Sequence, residues 1–67
     1  MEENYKDIEA EMLDQAIKTK KSVQLIFTNG YQHSAVVIDY DCNVIKLEVE
    51  GKTWTVYRHA VSTIVMD

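Results

Sequence analysis

The dipeptide Asn29-Gly30 separates two β-rich runs, VQLIFT and YQHSAVVIDY, and no other feature narrows the possible folds of this chain as much. Asn-Gly is the strongest short hairpin signal, because both central positions of a two-residue primed turn need positive φ. The pattern therefore predicts strands over 23–28 and 31–40 joined by a tight turn, the second long enough to bend. The polar stretch DYDCN (39–43) then turns the chain, and NVIKLEV (43–49) places Ile45, Leu47 and Val49 on one face of a third strand. Glu50-Gly51-Lys52 makes the next turn. Two further strands follow over 53–58 and 61–66, split by the adjacent Arg58 and His59.

Before Ser22 the period is different. Tyr5, Ile8, Met12 and Ala16 recur at spacings of three and four, and Leu13 and Ile17 widen the stripe, which predicts a helix over 4–20. Acids crowd its first turns and Lys18, Lys20 and Lys21 close it, in keeping with the helix dipole. One helix and five short strands with tight connections suit a single domain over 1–67. It is mainly β with an N-terminal α-helix: a small, bent, five-stranded antiparallel barrel of the Sm-like (SH3-like) kind, the helix covering one open end.

A chain of 67 residues is near the lower limit for burying its own core. Cys42 is the only cysteine, so no disulfide forms within the chain, and Cys42, His33 and His59 stand at no metal-ligand spacing. No metal or other cofactor is expected, which leaves association with further copies as the source of support. The longest uncharged apolar run, 35–38, cannot cross a bilayer, and the N-terminus MEENYKDIEAEM has no apolar signal core. The chain reads as cytoplasmic, with no membrane partner. No nucleophile–base pair or paired carboxylate suggests an enzyme. The net charge of −4 is unevenly spread, since Glu2, Glu3, Asp7, Glu9, Glu11 and Asp14 all precede Gln15. The remainder is about neutral, which permits a local basic patch but not a strongly basic surface.

The tail YRHAVSTIV, the strand–Asn-Gly–aromatic hairpin and the helix-then-five-strands order together resemble Hfq, the bacterial Sm-like RNA chaperone family. Its Tyr-Lys-His-Ala-Ile-Ser-Thr signature stands here as Tyr57, Arg58, His59, Ala60, Val61, Ser62 and Thr63. LEVEGKTWTVYRHA has the loop length of Gram-positive members, FTNGYQ resembles their hairpin, and MLDQAIK their helix; the likeness covers roughly residues 12–65. It implies a homohexameric ring built through residues around 54–58 and 61–66. It also implies single-stranded RNA, small regulatory RNA or mRNA, as the partner in post-transcriptional regulation.

The resemblance further implies three RNA sites. Tyr40, Cys42, Asn43, Arg58 and His59 correspond to the proximal pore, which takes U-rich strands in the family. Asn43 stands where the family has an aromatic that stacks on uracil, Cys42 where it has a polar reader, and Glu9 where it has a uracil-binding Gln. Ile26, Phe27, Gly30, Tyr31, Gln32 and Trp54 correspond to the distal face, which takes A-rich strands. Aliphatic and aromatic are exchanged at Ile26 and Phe27, and Ala35 replaces a Gly in the bent strand. Trp54 stands at a Gln position and either stacks on a purine or packs at the subunit contact. Lys18, Lys20 and Lys21 correspond to an arginine rim late in the helix, of which Ile17 is also part. The expectation is A-rich binding on the distal face and weak U-rich binding at the pore. The alternatives are a diverged ring that has lost RNA affinity and serves a protein partner, or a small SH3-like protein-interaction module.

Overall fold

A computed structural model describes residues 7–66. The elements are α1 (Ile8–Thr19), β1 (Val23–Phe27), β2 (Gln32–Tyr40), β3 (Val44–Val49), β4 (Lys52–Tyr57), a 3₁₀ turn (Arg58–Ala60) and β5 (Val61–Val65).

The helix begins later than its apolar stripe suggests. Asp7 is the N-cap, its carboxylate accepting the Ala10 N–H at 3.0 Å, so the side chain satisfies one of the orphan donors of the first turn. Predicted positions 4–6, Tyr5 among them, lie outside the described residues. Ile8 is not part of the core as the spacing implied; it is 66% exposed, while Leu13 and Ala16 are fully buried. The helix ends at Lys20, which takes the left-handed conformation (φ 58°) and donates its N–H to the Ala16 carbonyl.

Asn29-Gly30 does make a hairpin, but of a different type from the one predicted. Gly30 has positive φ and Asn29 does not. Gly30 N–H donates to the Phe27 carbonyl at 2.8 Å, and Tyr31 N–H donates to the Asn29 side-chain oxygen at 3.0 Å. This is the three-residue loop in which a turn is followed by a left-handed glycine. The Asn29 amide oxygen stabilises it as an Asx turn. The two-residue turn with positive φ at both positions lies instead between β3 and β4, at Glu50 (φ 51°) and Gly51 (φ 80°).

The five strands form one antiparallel sheet in the order β4-β3-β2-β1-β5. β2 bends as its length suggested. Its register with β3 shifts between Val37 and Asp39, the signature of a bulge that increases local twist. The core comes from alternate positions: Val23 and Leu25, Ala35 and Val37, then Ile45, Leu47 and Val49, covered by Leu13 and Ala16 of the helix. β4 and β5 add only half-buried side chains such as Val56 and Ile64. Those two strands are not paired with each other, so the sheet stays unclosed with an edge at each side.

Glu50 holds a left-handed conformation that Asn adopts at lower cost. Glu50→Asn should therefore raise stability in urea unfolding by about 0.5–1 kcal/mol. A loss of stability would contradict the turn assignment.

Candidate functional site

Chemistry-bearing residues gather where the β4–β5 corner meets the start of the helix. Within the 3₁₀ turn, Arg58 N–H donates to the Asn43 carbonyl at 2.8 Å, which ties the corner to the turn between β2 and β3. That turn is set by Asp41, whose carboxylate accepts the N–H groups of Asn43 and Val44 at 2.7 and 2.9 Å. These two bonds hold the Asp41 carboxyl below the usual carboxylate range.

The Arg58 side chain points back into the molecule. Nε donates to Glu9 Oε1 at 2.8 Å, and Nη2 lies 2.7 Å from the same oxygen. Nη2 also reaches both carboxylate oxygens of Asp7, at 3.2 and 3.1 Å, while Nη1 donates to the Asp41 carbonyl at 3.1 Å. The guanidinium carbon sits 5.5 Å from the centre of the Tyr40 ring, a cation–π distance. Its side chain is only 13% exposed. Tyr40 in turn donates its hydroxyl to Asp14 at 2.6 Å, with the Ala10 carbonyl 3.2 Å away. The Asp14 carboxylate pushes the Tyr40 phenol above its ordinary value. The Asp7 carboxyl is held low, first by the Ala10 N–H and then by Arg58.

Tyr40, Cys42, Asn43, Arg58 and His59 are thus brought to one place. Their states differ. Arg58 is engaged, Asn43 offers its carbonyl to the Arg58 backbone, and Cys42 is exposed in the cleft of about 420 Å³ that Asp7, Glu9 and Arg58 also line. His59 is exposed and stacked on Tyr57, with ring centroids 5.6 Å apart. The sequence reading missed Asp7 as a partner of Arg58. The available signal was its place one residue before the first helical position, where a capping carboxylate belongs.

The hairpin residues divide between the two faces of the sheet. Ile26 pairs with Gln32, and Gln24, two residues along the same strand face, donates to the Gln32 side chain. Tyr31 stands 69% exposed at the start of β2. Phe27 and Trp54 instead pack against the core from the inner face, on either side of His33. The His33 ring lies edge-on to Trp54 at 4.8 Å and to Phe27 at 6.1 Å between centroids. Within its own chain Trp54 is therefore packed, half-buried, against His33 and the core. Strand alternation puts Ile26 and Phe27 on opposite faces, so the aromatic at 27 does not extend the outer surface. Lys18, Lys20 and Lys21 are all exposed around the helix end.

A helix over one end of a bent, open, five-stranded antiparallel sheet, with a 3₁₀ corner between the last two strands, is the Sm-like fold. The family model for the Hfq protein matches residues 8–67. The RNA-binding protein Hfq of Natranaerobius thermophilus is 32% identical over 97% of this chain and 77% of that protein. Hfq of Clostridium acetobutylicum is 41% identical over 91% of this chain and 72% of that protein. A crystal structure of Hfq, described as a pleiotropic translational regulator, superposes with a TM-score of 0.84 at 32% identity, covering 90% of this chain and 100% of that one. The chain belongs to the Hfq family. Among the described residues, no helix is long and apolar enough to cross a membrane.

Because Asp7 and Asp41 have carboxyl groups held lower in the folded protein than in the unfolded chain, their stabilising contribution is present above about pH 4 and lost as pH falls through the folded values. Melting temperature should drop below about pH 4. Asp7→Asn, which keeps a capping oxygen but does not titrate, should show a shallower drop. Superimposable profiles would contradict this assignment.

Proposed function

We propose that this protein assembles as a homohexameric ring that binds single-stranded RNA. A-rich sequence lies on the outer face of the β1–β2 hairpin, and U-rich ends are only weakly held at the pore. It acts by binding rather than by catalysis, in post-transcriptional regulation in the cytoplasm, with small regulatory RNA or mRNA as partner. Family membership supports the RNA partner, since the relatives are named RNA-binding proteins. The ring is supported by the strand order, because β4 and β5 both present unpaired backbone groups and a head-to-tail pairing of one with the other would satisfy them.

One observation carries the choice of face. Tyr31 stands exposed next to the Ile26–Gln32 row, whereas the guanidinium at the pore is already occupied. Tyr31 can stack on a base, Ile26 offers apolar contact, and the Gln32 amide can meet a base edge. This surface needs no net positive charge, which suits a chain whose net charge is −4. Lys18, Lys20 and Lys21 add a salt-sensitive phosphate contact at the rim.

Fluorescence anisotropy with labelled A-rich and U-rich oligonucleotides tests the choice. The A-rich strand should bind more tightly. Tyr31→Ala should weaken it about fivefold or more, as loss of about 1–3 kcal/mol of stacking requires. His59→Ala should weaken U-rich binding by less. Tighter U-rich binding, or the reverse order of the two variants, would mean that the pore is the main site. No binding to either RNA at low salt would remove the RNA reading in favour of a protein partner.

A further inference from the structure

The first turn of the helix holds the group that a phosphate would seek at the pore. Arg58 supplies the guanidinium of the 3₁₀ corner, and its oxygen partners come from three residues: the carboxylates of Asp7 and Glu9 and the carbonyl of Asp41. All three of its nitrogens donate, and Tyr40 covers one side of the guanidinium. Two carboxylates face one guanidinium, so the cluster carries net negative charge where RNA would bring more. Both acids are themselves anchored. Asp7 caps the helix through the Ala10 N–H, and Glu9 lies on the first helical turn, which Tyr40 ties down through Ala10 and Asp14.

We propose that Asp7 and Glu9 are specificity-determining residues of the pore: their carboxylates occupy Arg58 in place of RNA phosphate and turn U-rich strands away from it. This rests on the RNA-binding ring proposed above. A phosphate can reach the guanidinium only by displacing a carboxylate held on the same chain, at an effective concentration set by the fold rather than by solution. The displaced carboxylate then remains beside the incoming phosphate as a like charge. The corner therefore discriminates against anionic backbone, while the uncharged hairpin face does not. His59 lies outside the clamp, and the weak pore binding expected of this protein is what His59 supplies unaided.

The test is anisotropy with U-rich and A-rich oligonucleotides on Asp7→Asn/Glu9→Gln, in which Asn keeps the capping oxygen and Gln the side-chain length. U-rich affinity should rise at least about tenfold, with a steeper dependence on salt as each subunit engages a further phosphate. A-rich affinity should move less than about twofold. Adding Arg58→Gln to the double variant should cancel the gain. Glu48→Gln/Glu50→Gln, which removes the same amount of charge from the β3–β4 hairpin, should leave U-rich affinity close to that of the wild type. An unchanged U-rich affinity in a protein that still binds the A-rich strand overturns the clamp and leaves the ring reading standing. So does a gain that the β3–β4 control matches, or one that survives loss of Arg58. Failure of wild type and variants alike to bind either RNA overturns both. If the double variant melts below the assay temperature, Glu9→Gln alone decides, with a smaller rise expected and no rise contradicting the proposal.

Discussion

Three residues of 3₁₀ turn, Arg58–Ala60, join two strands that stand at opposite edges of the same sheet. Consecutive strands with so short a link would ordinarily pair as a hairpin. Here they do not, because β5 turns away to pair with β1 while β4 stays on β3. The corner must be held open against that tendency. The Arg58 backbone fixes it to the 41–43 turn, and the Arg58 side chain fixes it to the helix. Tyr40, the last residue of β2, completes the tie by donating its hydroxyl to Asp14 of the helix. Bend, corner and helix are consequently one unit, and the two unpaired edges take their direction from it.

That structural duty bears on the chemistry open to the protein. A guanidinium bound by two carboxylates cannot also be a ready phosphate ligand, because its donors are already directed elsewhere. The outer hairpin face carries no such obligation. Gln24, Ile26, Gln32 and Tyr31 hold no charge to neutralise, and Tyr31 projects freely. The proposed preference for the outer face over the pore therefore rests on the occupancy of Arg58 rather than on the number of cations.

Much of the fold was legible in the sequence because it depends on local periodicity. Ile45, Leu47 and Val49 alternate in the sequence and are buried in the structure, and the long second strand bends where a bulge accommodates it. Features that depend on distant partners were not legible. Arg58 lies 49 residues from Glu9 and 51 from Asp7, and the N-cap position of Asp7 signals a capping role but not which distant cation it meets. The hairpin type was misread because Asn29 uses its side chain rather than a left-handed backbone to close the loop. Ile8 fits the stripe by spacing, yet it stands at the first helical position, beside the sheet edge rather than over its centre. The inward packing of Trp54 required knowing that His33, at a position two strands away, presents an aromatic surface to it.

The central claim is that the two open edges close on neighbouring copies and that the resulting ring holds RNA on its outer face. Native mass spectrometry with a short A-rich oligonucleotide tests this most directly. The account predicts a species of six 7.8 kDa chains, about 47 kDa, that gains the mass of bound RNA. A population of single chains, or a ring to which the A-rich strand adds no mass at low salt, would contradict it.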